Sequence, residues 1–455
     1  MGGKYQLLED AARRAGDYLR SLRTRAVAPS PAAIAALQEL DEALPQAGSD
    51  PAETLALLDR IVSPATMAMA GPRFFGFVIG GSLPIALAAN WLAGSWDQNT
   101  ALYEVTPGVA RIEEVASRWL IELLGLPPST AVSFVTGATM ANFTALAAAR
   151  NAVLANAGWN VEAEGLFGAP PITVVIGEEA HPTLLKSLGM LGLGRNRVQR
   201  VAVDAQGRMR PDALPRIEGP TILCLQAGNI NTGAFDPFEP LIERGHEAKA
   251  WVHVDGAFGL WARCSPALAH LVRGVERADS WATDAHKWLN VPYDSGLAFS
   301  RDAGALRAAM SITAEYLPSQ SAHRNPSDFT PELSRRARGI EVWAAMRSLG
   351  EAGLAELFER NCRQAARFAA GLRAGGHAIL NEVVLNQVLV EFGDAERTRK
   401  VIAALQKEGT CWCGATVWQG RTAMRISVSG WATTDEDVER SLEAMLRAAD
   451  TGNVR

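Results

Sequence analysis

The sequence predicts an α/β protein: a largely parallel sheet with helices on both faces, an N-terminal helical segment and a small α/β region at the carboxyl end. Two observations carry this. Short β-rich runs alternate with helical stretches through the middle of the chain, the pattern of a parallel sheet covered on both sides. The 455 residues also exceed what one hydrophobic core usually serves, so two or three domains are expected.

The elements follow in order. Residues 5–70 carry alanine and leucine at helical spacing, broken at Pro29-Ser30-Pro31 and between Pro45 and Pro51. AVSFVTG (131–137) runs into a helix beginning TMANFTAL, and ITVVIG (172–177) precedes a helix holding Leu184 and Leu188. TILCLQAG (221–228), AWVHVD (250–255), ADSWATD (278–284) and SGLAFS (295–300) read as further strands. Residues 311–334 are polar, with Pro318, Pro326 and Pro331, and read as a long mobile loop. A helical stretch from about Arg335 to Arg373 follows. Then come VVLNQVLVEF, a helix over 395–408, AMRISVS, and a last helix capped by Thr434 and Asp435. The expected division is a helical segment over 1–75, a large domain over 76–350 and a small α/β domain over 351–455.

Composition narrows the function. Apolar residues make up 48%, charged residues 20%, and the net charge is −5. That balance suggests neither a nucleic-acid nor a membrane partner. The charged, amphipathic N-terminus lacks the apolar core of a signal peptide, and no apolar run reaches the roughly 20 residues of a membrane span. Five cysteines, an odd number in a long chain, fit reduced thiols and a cytoplasmic home. Cys411-Trp412-Cys413 has the wrong spacing for zinc and no second cluster beside it, so no metal is expected.

The chemistry gathers where strands end, which is where ligands bind in such sheets. ADSWATD runs into Asp284-Ala285-His286-Lys287. A lysine there, between a histidine and a tryptophan, is oddly placed for a solvated cation. Burial favours the neutral amine, which can form a Schiff base; the plainer reading is an idle, salt-bridged lysine. Asp255 ends an apolar run and needs a cationic or hydrogen-bonding partner. A protonated pyridine nitrogen would serve, and a charged ring is the electron sink of pyridoxal phosphate (PLP); a helix cap is the plainer role. Gly137, Ala138 and Thr139 begin a helix, where a phosphate can meet free N–H groups. His181 follows a strand and could stack on a ring. Asn229, Asn231 or Thr232, in the turn AGNINTGAFDPF, could reach the cofactor; an ordinary Asn/Gly loop looks the same.

Together these residues resemble the group II PLP-dependent amino-acid decarboxylases, which include aromatic-amino-acid, glutamate, tyrosine and histidine decarboxylases. The likeness covers nearly the whole chain and is most specific at HKWLNVPYD. It implies the type I PLP fold. It makes Lys287 the Schiff-base lysine, Asp255 the partner of the pyridine nitrogen, His181 the stacked histidine and His286 a neighbour of cofactor and substrate. Gly137, Ala138, Thr139 and Asp284 would surround the phosphate, with Asn229 and Ala257 also touching the cofactor. PRFFGFVIGG (72–81) and QNTALYEVTP (98–107) resemble the substrate-pocket segments, so Phe77, Gln98, Asn99 and Tyr103 are substrate candidates. Phe74, Phe75, Phe77, Trp96 and Tyr103 favour an aromatic or other bulky side chain, while Gln98 and Asn99 could serve a polar one. SRRARGIEVW (334–343) resembles the stretch after the family's mobile loop. A homodimer with shared active sites is implied.

The chain departs from the family at one point. Many members carry a loop tyrosine that protonates the substrate carbon; counting back from Arg335-Arg336, that position falls near Pro326, with Phe329 close by, and neither donates a proton. Tyr316 and His323 are the nearest loop candidates. Decarboxylation of an L-amino acid to the amine and CO2 is the expected reaction. The alternatives are an aldehyde synthase working by oxidative decarboxylation-deamination, a carbon–carbon lyase on a phosphorylated amino alcohol, an aminotransferase, or a non-catalytic PLP-fold module.

Overall fold

A computed structural model describes residues 5–312 and 323–451. The chain forms two compact units. One comprises Met1–Gly81, Ala366–Leu380 and Val388–Arg455; the other comprises Ser82–Ala365 and Asn381–Gln387. The N-terminal residues thus group with the carboxyl-terminal part rather than standing as a segment of their own. The physical tie is backbone pairing: Phe75 N–H donates to Trp412 O at 2.9 Å, Trp412 N–H to Arg73 O at 3.1 Å, and Ser427 N–H to Phe75 O at 3.0 Å. Buried Arg73 also meets Asp437 at 3.0 Å.

The larger unit holds a seven-stranded sheet. Its strands are β1 (Ala131–Val135), β2 (Thr173–Gly177), β3 (Gln199–Val201), β4 (Thr221–Gln226), β5 (Trp251–Asp255), β6 (Ser280–Asp284) and β7 (Gly296–Ser300), in the order β1-β7-β6-β5-β4-β2-β3. Strands β3, β2, β4, β5 and β6 run parallel to one another, while β7 lies antiparallel to both β6 and β1. The six runs read as strands form these strands to within two residues at either end. Only β3 went unread, because three residues at the sheet margin carry too little alternation to signal a strand.

Most of this sheet is buried. β5, β6 and β7 are buried at every position. The helix Ala138–Asn156 covers one face. Its alanines Ala141, Ala145, Ala147, Ala148 and Ala149 are almost wholly buried, and small side chains let a helix lie close to a sheet. The approach is closest where the chain enters that helix: a Cβ on Gly296 would stand 2.4 Å from Gly137 Cα.

The smaller unit carries a four-stranded sheet, β8 (Ala378–Ile379), β9 (Gln387–Glu391), β10 (Gly414–Trp418) and β11 (Arg421–Ser427), in the order β10-β11-β9-β8. The helix over Ala395–Glu408 lies where the spacing predicts it. The last helix, Asp435–Thr451, opens on a reciprocal cap. Asp437 N–H donates to Thr434 Oγ1 at 3.2 Å, and Thr434 N–H donates back to Asp437 Oδ2 at 3.1 Å.

Candidate active site

The carboxyl ends of β1, β4, β5 and β6 surround a cavity of about 310 Å³ in the larger unit, within the size range of small-molecule sites. Gly137, Ala138, Thr139, His181, Asp255, Ala257, Asp284, His286 and Lys287 all line it. Residues drawn from four separate stretches of sequence therefore meet in one place. Parallel strands produce this, because each ends on the same side of the sheet and hands its next residues to one crevice.

Asp284, at the last position of β6, organises one side. Its Oδ2 lies 2.8 Å from Lys287 Nζ. Its Oδ1 accepts the Ala138 N–H at 2.5 Å and stands 3.3 Å from His286 Nε2. The first intrahelical bond of Ala138–Asn156 runs from Ala141 N–H to Gly137 O at 2.8 Å. The N–H groups of Thr139 and Met140 therefore have no acceptor within the helix and face the cavity end, a natural seat for a phosphate. Gly137 leaves room there: a Cβ would meet His286 Cε1 at 3.0 Å and Asp284 Oδ1 at 3.3 Å.

Asp255 lies on the other side, only 4% exposed. Burial raises its pKa, while His181, Lys287, the nearby Asn142 side chain and the Ala257 N–H oppose that rise. The Ala257 N–H donates to Oδ1 at 3.2 Å. His181 caps the helix Pro182–Met190, its Nδ1 accepting the Thr183 N–H at 3.3 Å. That bond leaves the imidazole proton on Nε2. His286 Nδ1 accepts the Ser295 N–H at 3.1 Å, and burial lowers the pKa of this ring, against the pull of Asp284. Tyr293 stacks on the same ring with centroids 4.2 Å apart.

This donor set fits PLP. A helix N-terminus suits the phosphate, a buried carboxylate suits a pyridinium nitrogen, and a lysine amine stands in the same cavity to be joined to the aldehyde carbon. Lys287 is paired with the Asp284 carboxylate, as the plainer salt-bridged reading allows, yet it lines the cavity.

Other expected residues lie elsewhere. Asn229 is committed to its turn: its Nδ2 donates to Gln226 Oε1 at 3.1 Å, and its Oδ1 accepts from Asn231 N–H at 2.9 Å and Thr232 N–H at 3.2 Å. Its neighbours Gly228 and Ile230 line the cavity instead. Gln98, Asn99 and Tyr103 are not among the lining residues. Asn99 Oδ1 accepts the Arg335 N–H at 3.1 Å, and Tyr103 stacks on His323 at 3.9 Å. In the smaller unit, Phe74 stacks on Trp412 and Phe75 packs edge-on to Phe368; both are core residues rather than pocket walls. Phe77 remains 58% exposed.

The loop departure has a structural counterpart. Pro326 is buried and opens a short 3-10 turn ending at Phe329, whose carbonyl accepts from Ser133 Oγ on β1. Arg324 lies 4.3 Å above the Phe329 ring. Tyr316 falls outside the described residues.

Thr183, Gln226 and Phe258 also line the cavity and were not foreseen. Gln226 was legible in principle, since it ends strand β4 as Asp255 ends β5.

The family profile described as "Pyridoxal-dependent decarboxylase conserved domain" matches residues 34–392. An aromatic-L-amino-acid decarboxylase of Bacillus atrophaeus is 27% identical over 92% of this chain and 90% of its own. An L-2,4-diaminobutyrate decarboxylase of Rhizobium meliloti is 28% identical over 90% of this chain and 84% of its own. Among solved structures, that of Oryza sativa TDC with PLP and tryptamine superposes with a TM-score of 0.92 at 22% identity, covering 99% of each chain.

Proposed function

The chain belongs to the pyridoxal-dependent decarboxylase family and is a PLP-dependent carboxy-lyase acting on an amino acid; on that premise we propose which residues do the work and on what substrate. Lys287 is the point of cofactor attachment. Asp255 would hold the ring nitrogen, His181 would lie against the ring, and the Gly137-Ala138-Thr139 turn would take the phosphate. The observation that carries this reading is the Lys287–Asp284 pair, 2.8 Å apart, inside a cavity lined by both a helix N-terminus and buried Asp255.

When bound, PLP supplies the electron sink that receives the pair left as CO2 departs. The chain's own groups do the rest. Asp255 holds the charge that keeps such a sink effective. His286 has its two ring nitrogens directed at Ser295 and Asp284, so it serves as a fixed wall beside the reacting atoms. With no phenol at Pro326 or Phe329, Lys287 Nζ and His181 Nε2 are the proton carriers available in the cavity.

An aromatic or bulky L-amino acid is the preferred substrate, on the strength of the Bacillus relative's name. The working form is a cytoplasmic homodimer with shared sites. The helix Pro84–Trp96 supports the dimer: it is apolar on nearly all sides, yet Ile85, Trp91, Leu92 and Trp96 remain exposed. A helix of that composition is normally covered.

The test is product analysis by mass, with the PLP-loaded protein and a panel of L-amino acids. An amine that keeps its nitrogen is expected. An aldehyde with ammonia and peroxide would replace this reading with the oxidative one. Borohydride reduction should fix the cofactor on the peptide containing Lys287; fixation elsewhere would overturn the assignment.

A further inference from the structure

His286 stands in the cavity wall, and its ring is held by the two residues on either side of Asp294. Tyr293 stacks on the imidazole, with centroids 4.2 Å apart and planes 28° off parallel. The Ser295 N–H donates to His286 Nδ1 at 3.1 Å. The Ser295 carbonyl in turn accepts the Ala285 and His286 N–H groups, each at 3.1 Å. Where the ring sits therefore depends on where the strip Tyr293-Asp294-Ser295 sits.

That strip is gripped by the stretch leading into the long helix that begins at Gly339. Arg338 Nε donates to Asp294 Oδ1 at 2.8 Å. Arg336 Nη2 donates to the Asp294 carbonyl at 3.2 Å and stands 3.8 Å from Oδ1. Side chain and backbone of one residue are thus both held. Burial pushes the Asp294 carboxyl up, but the Arg338 bond and the charges of both arginines outweigh it and leave the pKa below the ordinary carboxylate value.

The arginines stand on a fixed base. Beside them, Arg335 meets Glu113 through two bonds of 2.7 Å, and both side chains are 1% exposed. Arg336 also pairs with Glu341, which is equally buried and accepts from Asn90 Nδ2 at 2.6 Å. A Cβ on Gly339 would meet Glu113 Cγ at 2.5 Å, so the turn lies directly against the Glu113 side chain. Bidentate arginine pairs fix geometry as well as charge.

We propose that Arg338 and Arg336 form a clamp on Asp294 that sets the position of His286 in the cavity, making all three positioning residues for the reaction. The inference rests on the reading that His286 borders the cofactor and substrate. None of the three lines the cavity, so they act through Tyr293 and Ser295. The Asp294 side chain is 43% exposed. A pair that open adds little to stability; what it supplies is the register of the strip.

Nitrogen NMR of the cofactor-free protein, with labelled histidine, reads the ring directly, and His286→Ala identifies its signals. In the wild type, His286 is expected as a single Nε2–H form, because Nδ1 accepts from Ser295. Asp294→Ala removes the oxygen that Arg338 grips, so a share of the Nδ1–H form should appear. Asp294→Asn keeps an oxygen for Arg338 and should restore the single form. His286 signals that are the same in the wild type and Asp294→Ala would overturn the clamp. In turnover, Asp294→Ala should lower kcat by about ten- to a hundredfold, the range for a misplacement of roughly 1 Å beside the reacting atoms, with KM and the thermal midpoint little changed. Asp294→Asn should recover most of that loss. His286→Ala separates the two ideas. If it turns over like the wild type, the reading of His286 fails, whatever holds the ring. If it is crippled while folded Asp294→Ala is normal, only the clamp fails.

Discussion

Lys287 Nζ and Asp284 Oδ2 stand 2.8 Å apart, and the other oxygen of that carboxylate holds the Ala138 N–H at 2.5 Å. One side chain at the end of β6 thus fixes both the lysine amine and the start of the covering helix. Asp284→Ala should leave an N–H and an ammonium without their acceptor, at a cost of about 2–4 kcal/mol. The measurement is the thermal midpoint of the cofactor-free protein, which should fall, and PLP affinity should fall with it. An unchanged midpoint would mean that water replaces the carboxylate without loss.

Gly296 and Gly137 make a tight backbone contact beside the site. A Cβ at 296 would meet the Cα, C and N of Gly137 at 2.4, 2.5 and 2.7 Å. Backbone cannot swing aside as a flexible side chain can. Gly296→Ala should therefore cost about 1–3 kcal/mol by overpacking and displace the helix start that faces the cavity. Loss of PLP affinity larger than the loss of stability is the expected signature. Gly158→Ala is the control: its Cβ would meet nothing within 4 Å, though φ is +80° there, so it should cost stability without touching PLP affinity.

The buried imidazole of His253 should make the fold acid-labile. Its folded pKa is lowered to about 3, below the unfolded value of about 6.5. Between those values the unfolded chain binds more protons. The contribution is therefore complete above pH 6.5 and is lost as pH falls toward 3, by up to roughly 5 kcal/mol. Asp236 works in the opposite sense: burial raises it to about 6, so its contribution is lost as pH rises from 3.8 through 6. The net slope on the acid side should follow the histidine and flatten in His253→Gln. Unfolding midpoints measured from pH 4 to 8 on both proteins check this.

Much of this was legible because parallel strands announce themselves as short apolar runs and deliver their end residues to one crevice. His181, Asp255, Asp284, His286 and Lys287 could be read that way without knowing any distance. The Lys287–Asp284 pair could not, since three residues of spacing at a strand end do not fix which way either side chain turns. Asn229 looked equally able to face the cavity, but an asparagine can also satisfy its own turn, and here it does. The buried hydrogen-bond chain of Trp251, Ser280, His253 and Asn142 left a faint signal: AWVHVD puts His253 in phase with Asp255, and Asn142 is a polar residue in an alanine-rich helix. Pairing them needed the β5–β6 register, which no sequence pattern states. The grouping of the first 81 residues with the carboxyl-terminal part was hidden for the same reason, because Phe75 and Trp412 are joined by backbone bonds.

The exposed apolar side of Pro84–Trp96 gives the proposed dimer its sharpest test. Trp91 is 44% exposed and Leu92 54%. A charge at an exposed position costs the isolated fold little, within about 0.5 kcal/mol, whereas a charge buried without a partner in an interface costs several kcal/mol. Trp91→Glu should therefore shift sedimentation from dimer to monomer while the far-ultraviolet spectrum stays unchanged. If each active site is completed by the second copy, activity should fall with the dimer fraction and recover as protein concentration is raised. A Trp91→Glu protein that sediments as the wild type does would remove this helix from the interface.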